Sequence, residues 1–258
     1  MTLITDIAQA LRLAETAGRV MLENGAETYR AEDTVIHVCR SMGLPDVQVL
    51  VIPTGIFLTL RDQGGQRHTS VIRVNRRSIN LDSIHQANAI ARRVGELSVQ
   101  EAIDQLEALH TRPQYPDWLN TLSAALCSGF FALVFGGGAL EFAIAAIAGL
   151  MAALLGRWAG RLDNYQVINS LFGGIVIAIV ALAGIRLAGG GNLDAVIAGA
   201  VLPLLPGLAM TVAIRDTMRG DLVSGVARIA EALLVAACVA VGVGAVLGLW
   251  LKIGGTLS

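Results

Sequence analysis

The chain has 258 residues, 54% of them hydrophobic and only 15% charged, against about 25% charged in an ordinary soluble domain, which argues against a purely soluble protein. A net charge of −1 supplies neither a basic footprint for nucleic acid nor an acidic tail. The charge is also unevenly spread: 26 of the 39 charged residues and all four His lie in the first 117 positions. The chain therefore reads as two materials, a polar first part and an apolar second part.

The first 110 residues read as a small cytosolic α/β domain. Over 5–23, Ile7, Leu11, Ala14, Gly18 and Met21 recur at helical spacing, and Ala31, Thr34, Val35, Val38 and Met42 continue the pattern to Gly43, so two amphipathic helices are expected. Leu44-Pro45 breaks the pattern. VQVLVI (47–52), IFLTL (56–60) and HTSVIRV (68–74) then read as short strands, with RDQGGQR (61–67) as the hairpin turn between the last two. A helix is expected from about Leu81 to Leu97. Ser98 and Glu101 form a capping-box pattern for the next one, and residues 111–117, with Pro113 and Pro116, read as a linker.

Residues 118–258 read as a membrane domain with five spans. Between Trp118 and Leu140 no residue carries a formal charge, enough length to cross a bilayer as a helix of about 20 residues. The spans are expected at about 118–137, 139–157, 166–186, 194–214 and 229–251. The second is the weakest, because only 15 residues separate Glu141 from Arg157, and a re-entrant segment is its alternative. The first apolar run follows more than a hundred polar-rich residues, unlike a cleavable signal peptide. Arg112, Arg157, Arg161, Arg215, Arg219 and Arg228 fall on one side of such a topology and Arg186 and Lys252 on the other, which predicts a cytoplasmic N-terminus and an external C-terminus. Of the 29 Gly, 22 follow position 117. Small-residue patterns such as Gly149, Ala153, Gly156 and Gly184, Ala188 predict close helix packing in lipid.

Chemistry-bearing motifs are few. Cys39, Cys127 and Cys238 are far apart and read as core thiols rather than a disulfide framework. No Walker loop, HExxH, GxSxG or CxxC is present, the His residues do not cluster, and no metal site, cofactor or enzymatic activity is expected. GGG at 136–138 and 189–191 reads as tight turns at span ends. The informative stretch is Val201-Leu-Pro-Leu-Leu-Pro-Gly207: Pro203 and Pro206 cannot donate to the carbonyls of Gly199 and Leu202, and Gly207 permits unusual backbone angles. Free backbone groups at membrane depth must face protein or a wet cavity, as in the broken helices of substrate or ion sites; a packing kink is the plainer alternative. Nearby polar residues are few: Asn169 and Ser170 in the third span, Thr211 in the fourth and Glu231 in the fifth. Glu231 lies three residues after Arg228, so a helical ion pair and a proton-linked carboxylate are both open.

NGAETYRAEDTV (24–35), VIPTGIFLTL (51–60), RSINLDSI (77–84), YPDWL (115–119), LPLLPG (202–207) and RDTMRGDLVSGVARIAEALL (215–234) together resemble the threonine/serine exporter family, and length and plan resemble its YjjP-type N-terminal half. The resemblance implies an inner-membrane exporter driven by the proton-motive force, in which full-length members carry about ten spans. It also implies that a separate, smaller YjjB-type membrane subunit supplies the other half, the split pair being associated with succinate. On this basis the chain is expected to be a half-transporter of small hydrophilic carboxylates, with threonine or serine ahead of succinate, working with such a subunit or as a homo-oligomer. Asn169, Pro203, Pro206, Gly207 and Thr211 are the candidate substrate contacts, and Asp216 and Glu231 the proton-coupling or gating candidates. Glu27, Thr54 and Asn80 would line a cytosolic vestibule or hold the soluble domain to the membrane part; Glu27 could equally serve the dipole of its helix, and Asp216 could pair with an Arg. A membrane-anchored regulatory subunit without transport activity, and an intramembrane enzyme, are the rival readings.

Overall fold

A computed structural model describes residues 7–62, 64–75, 77–109, 115–160 and 166–255. The chain is built from α1 (Ile7–Glu23), α2 (Thr28–Ser41), β1 (Val47–Ile52), β2 (Gly55–Arg61), β3 (Arg67–Arg73), α3 (Leu81–Arg92) and α4 (Val99–Ala108). Then follow α5 (Asp117–Val134), α6 (Ala139–Gly160), α7 (Gln166–Ala188), α8 (Leu193–Val201), a 3-10 turn (Leu202–Leu204), α9 (Gly207–Met218) and α10 (Leu222–Lys252). Packing divides it into two compact units, one of Met1–Gln114 with Leu208–Ile229, the other of Tyr115–Gly207 with Ala230–Ser258. The sequence reading placed 208–229 in the membrane domain, partly in spans and partly in the loop between them; their packing puts them in the N-terminal unit. Of the expected linker, 111–114 lie outside the described residues, as do Arg112 and Arg161 of the charge-bias argument.

In the N-terminal unit the three strands form an antiparallel meander in the order β1-β2-β3, with Leu60 opposite His68 and Arg61 opposite Arg67 across the expected hairpin. Alternation decides the faces. Ile56, Leu58 and Leu60 of β2 are buried with Leu13, Ala17, Val35 and Val38 of the helices, while Phe57 and Thr59 point outward. Gly18 lets the layers touch closely: a Cβ there would lie 2.7 Å from Val35 Cγ2 and 2.9 Å from Ile56 Cδ1. Asn80 caps α3, its side chain accepting from Ser83 N, and Ser98 caps α4 through Glu101 N at 3.2 Å. The expected helix from Leu81 to Leu97 stops at Arg92, before Gly95, the residue that loses most backbone entropy in a helix.

Four helices, α5, α6, α7 and α10, are each long and apolar enough to cross a membrane, and α8 with its 3-10 turn and α9 make a fifth candidate if taken as one interrupted span. The second expected span is α6, an unbroken helix of 22 residues, about 33 Å long at 1.5 Å per residue. Its two charges are engaged at its ends. Glu141 accepts from Gly138 N at 2.7 Å and Asn192 N at 2.9 Å, joining the two glycine-rich turns, while Arg157 reaches Asp117 at 2.5 Å and Thr121 at 2.8 Å. The fifth expected span begins earlier than Ile229, since α10 runs from Leu222 for 31 residues; its uncharged part, 232–251, has the 20 residues that one crossing needs.

Close helix packing rests on small residues, only partly those singled out from the sequence. Gly149 packs on Ser128 and Gly184 on Ile144, whereas Gly156 has nothing within 4 Å of a Cβ. A close backbone approach joins α8 to α5, where a Cβ on Gly199 would run into Ala132 N. Gly199→Val should therefore force α5 and α8 apart and sharply reduce monodisperse protein on size-exclusion chromatography in detergent, whereas Gly156→Val should leave the elution profile unchanged.

Candidate functional site

The loop between α1 and α2 prepares the site. Gly25 takes a left-handed φ of 87°, Asn24 Nδ2 donates to Val20 O at 2.7 Å, and Ala26 N donates to Met21 O at 3.1 Å. This tight reversal leaves Glu27 as the extended residue preceding α2 and turns the first helical N–H, that of Thr28, outward. It meets Asp216 of α9: Thr28 N donates to Asp216 Oδ1 at 3.1 Å. A carboxylate is favoured at that place because the unpaired N–H groups of a helix start carry partial positive charge.

Asp216 is wholly buried, and an ionised carboxylate there demands compensation. Arg228 of α10, itself 8% exposed, supplies it with Nε 3.1 Å from Oδ2, while its Nη2 donates to the Ala26 carbonyl at 3.0 Å. Thr28 Oγ1 lies 3.1 Å from Asp216 Oδ1 and 2.9 Å from Asp221 Oδ2, so its one proton serves either acid. Asp221 is placed by the α9–α10 turn, where Gly220 has φ 94° and Asp221 N donates to Asp216 O at 3.0 Å. Beside this core, Glu27 binds Arg215 at 2.8 Å and Arg30 at 3.2 Å, and Arg219 lies over the Tyr29 ring at 4.6 Å.

Two nearby glutamates are driven in opposite directions. Burial pushes the Glu27 carboxyl up, but its own backbone N–H, Arg215 and Arg30 together outweigh burial and hold it below the ordinary value of 4.5. Burial raises Glu32 more than the Val51 N–H, donating to Oε1 at 2.8 Å, lowers it, and Asp221, Asp33 and Asp216 add to the rise. Burial also pushes the Cys39 thiol up to about 12, which makes it an inert core group. Among the described residues no group of three or more His, Cys, Asp or Glu is arranged to hold a metal ion.

The candidate residues read from the sequence fall in separate places. Glu27 and Asp216 come together, through Thr28 and the neighbouring Arg215. The side chain of Glu27 makes no cap hydrogen bond; the acid that accepts from the start of α2 is Asp216. Asn80 borders the same loop, its N–H donating to Asn24 O at 3.0 Å, whereas Thr54 sits exposed in the β1–β2 turn with its carbonyl accepting from Val74 N. Thr211 is exposed on α9, and Glu231 exposed on α10 one turn after Arg228.

The helix does break where the prolines stand. α8 ends at Val201, Leu205 is extended at φ −73° and ψ 139°, and α9 starts at Gly207 after Pro206, the conformation a residue before proline prefers. The Leu202 carbonyl, expected to be released, instead accepts from Leu205 N at 3.2 Å. Pro203 is exposed and Pro206 half-buried. Asn169 is half-buried on α7, one turn before Gly173, whose Cβ would lie 2.8 Å from Leu204 Cδ1. The face of α7 that carries Asn169 therefore packs towards the interrupted segment. Thr28, Arg215 and Asp221 escaped the sequence reading. The available signal was the charge complementarity of two resembling motifs, acidic at Glu27 and Glu32, basic at Arg215, Arg219 and Arg228.

Fold and site define a polytopic helical membrane protein with an α/β unit that incorporates a later helical hairpin. The family model described as "Putative threonine/serine exporter" matches residues 12–250, and the chain belongs to the threonine/serine exporter family. Among curated relatives, the "Probable threonine/serine exporter" of Mycobacterium tuberculosis is 27% identical over 90% of this chain and 44% of its own length. The "Probable succinate transporter subunit YjjP" of Escherichia coli K12 is 25% identical over 93% of this chain and 94% of its own. "Pheromone-regulated membrane protein 10" of Candida albicans is 27% identical over 90% of this chain and 21% of its own. The chain thus spans less than half the length of the Mycobacterium and Candida relatives. No solved structure matches it.

Because Glu27 is held below its ordinary value, its ion pairs stabilise the fold fully above pH 4.5, and that contribution disappears as pH falls through the depressed value. Glu27→Gln should cost about 1–2 kcal/mol at pH 7, at the low end for charge-assisted hydrogen bonds, since Arg215 is more than half exposed. Thermal unfolding of the purified chain should show the difference from wild type shrinking below pH 4.

Proposed function

We propose that this chain is one half of an inner-membrane efflux transporter for small hydrophilic carboxylates, threonine or serine ahead of succinate, powered by the proton-motive force. Membership of the exporter family over 12–250 supports transport, and the relative matched along nearly its whole length carries the word subunit in its name. A smaller membrane chain of the YjjB type would supply the second half. The basic residues argue for a cytoplasmic N-terminus and an external C-terminus.

The observation that carries the mechanism is the interruption of an apolar candidate span at Leu202–Pro206. A broken helix offers backbone groups to a polar solute at membrane depth. In this reading Pro203, Pro206 and Gly207 shape the break, Asn169 and Thr211 add side-chain hydrogen bonds, and Glu231 couples protons. Asp216 takes a gating role, because its contacts with Arg228 and Thr28 must break before α9 can part from the start of α2. The burial of this network also favours a second reading, a regulatory subunit whose network only assembles the complex.

Cells loaded with labelled threonine, serine and succinate test both readings, with this chain alone and with the smaller subunit, with and without an uncoupler. Uncoupler-sensitive efflux that needs both chains is the expected result; equal efflux from the smaller subunit alone would make this chain regulatory. Replacing Pro203 and Pro206 together by Ala should restore a continuous helix and lower efflux at least tenfold at equal membrane expression, and unchanged efflux would remove the site from this segment.

A further inference from the structure

The N-terminal unit contains a polar cleft of about 390 Å³ between α1, α2 and α3, at the small end of the roughly 300–1,000 Å³ range of small-molecule sites. Two helices that pack together are expected to meet through apolar faces. Here α2 contributes Arg30, Asp33, Thr34 and His37, at the three- and four-residue intervals of one helix face, and α3 contributes Asn88 and Arg92 from consecutive turns. Thr34 Oγ1 is used locally, donating to Arg30 O at 2.8 Å. Arg92 makes no ion pair among the described residues. Arg30 is shared: it lines the cleft and also binds Glu27 Oε2 at 3.2 Å.

Two guanidinium groups facing one cleft are suited to a carboxylate, which each can bind through paired N–H donors. Asn88 can both donate and accept, and Asp33 could receive an ammonium group on the same ligand. We infer that this cleft is a binding site for a small carboxylate, gripped by Arg30 and Arg92, and that the ligand competes with Glu27 for Arg30. The site is separate from the interrupted helix and is built wholly within the N-terminal unit. It rests on the exporter reading only for the choice of probes, succinate and threonine.

The test uses the full chain in lipid nanodiscs, following the His37 ring resonances during titration with succinate, threonine and the neutral diamide of succinate. Expected are saturable shifts with the two carboxylates and none with the diamide, a tenfold or greater loss of affinity in Arg92→Ala, and a several-fold gain for succinate in Glu27→Gln as Arg30 is released. Asp33→Asn should weaken threonine and spare succinate. A resonance that stays fixed in a folded chain, or that moves identically in wild type and Arg92→Ala, overturns the inference. Absence of efflux from cells with both chains, with the His37 response intact, would leave the cleft assigned and count against the transporter reading alone. Arg92 is exposed, so its truncation tests binding without disturbing the core.

Discussion

A carboxylate removed wholly from solvent is the constraint on which the N-terminal unit depends. Asp216 cannot remain ionised in a buried position without partners, and its partners come from three stretches of chain: the N–H and hydroxyl of Thr28, the guanidinium of Arg228 and, through the shared hydroxyl, Asp221. Thr28 and Asp216 are 188 positions apart. Their pairing explains why Leu208–Ile229, a stretch flanked by apolar helices, packs with the α/β layers. It also explains the shape of the local sequence, since a Gly-Ala-Glu-Thr turn must expose a helix start and an Asp-Thr-Met-Arg-Gly-Asp turn must bring two acids to it.

The second unit follows different physics. Within hydrocarbon, apolar side chains gain little by meeting one another, so close backbone approach and satisfied helix ends hold such a bundle. Gly174 against the Val239 carbonyl, Gly242 against the Leu171 carbonyl and Gly199 against Ala132 supply the first. Glu141, Asn192 and Arg157 supply the second, each spending its polar group on a neighbouring turn or helix end. The interruption at Pro203–Pro206 is the exception to helical continuity among these helices.

Much of this was legible in the residues. Period-two runs gave β1, β2 and β3, helical spacing gave α1 and α2, and Ser98 marked the start of α4 by its cap. The broken helix followed from two prolines three residues apart. What escaped was long-range: no local pattern says that Asp216 will be buried against Thr28, or that α10 begins seven residues before its expected start, because hydropathy sees Arg228 as a charge to leave out of a span. The fate of the Leu202 carbonyl was equally hidden, as a 3-10 turn can recover what proline releases. Arg30 and Arg92 drew no notice in the sequence, since the cleft between them arises only when α2 and α3 pack.

The central claim is that Asp216 and Arg228 act as one unit that fastens α9 and α10 to the start of α2. A double-mutant cycle of Asp216→Asn and Arg228→Met, read by thermal unfolding of the purified chain, tests it most directly. Each single change should cost about 3 kcal/mol or more by stranding a buried charge, and the double variant should cost less than the sum by about 2 kcal/mol or more. Strict additivity, or single variants as stable as wild type, would contradict the account.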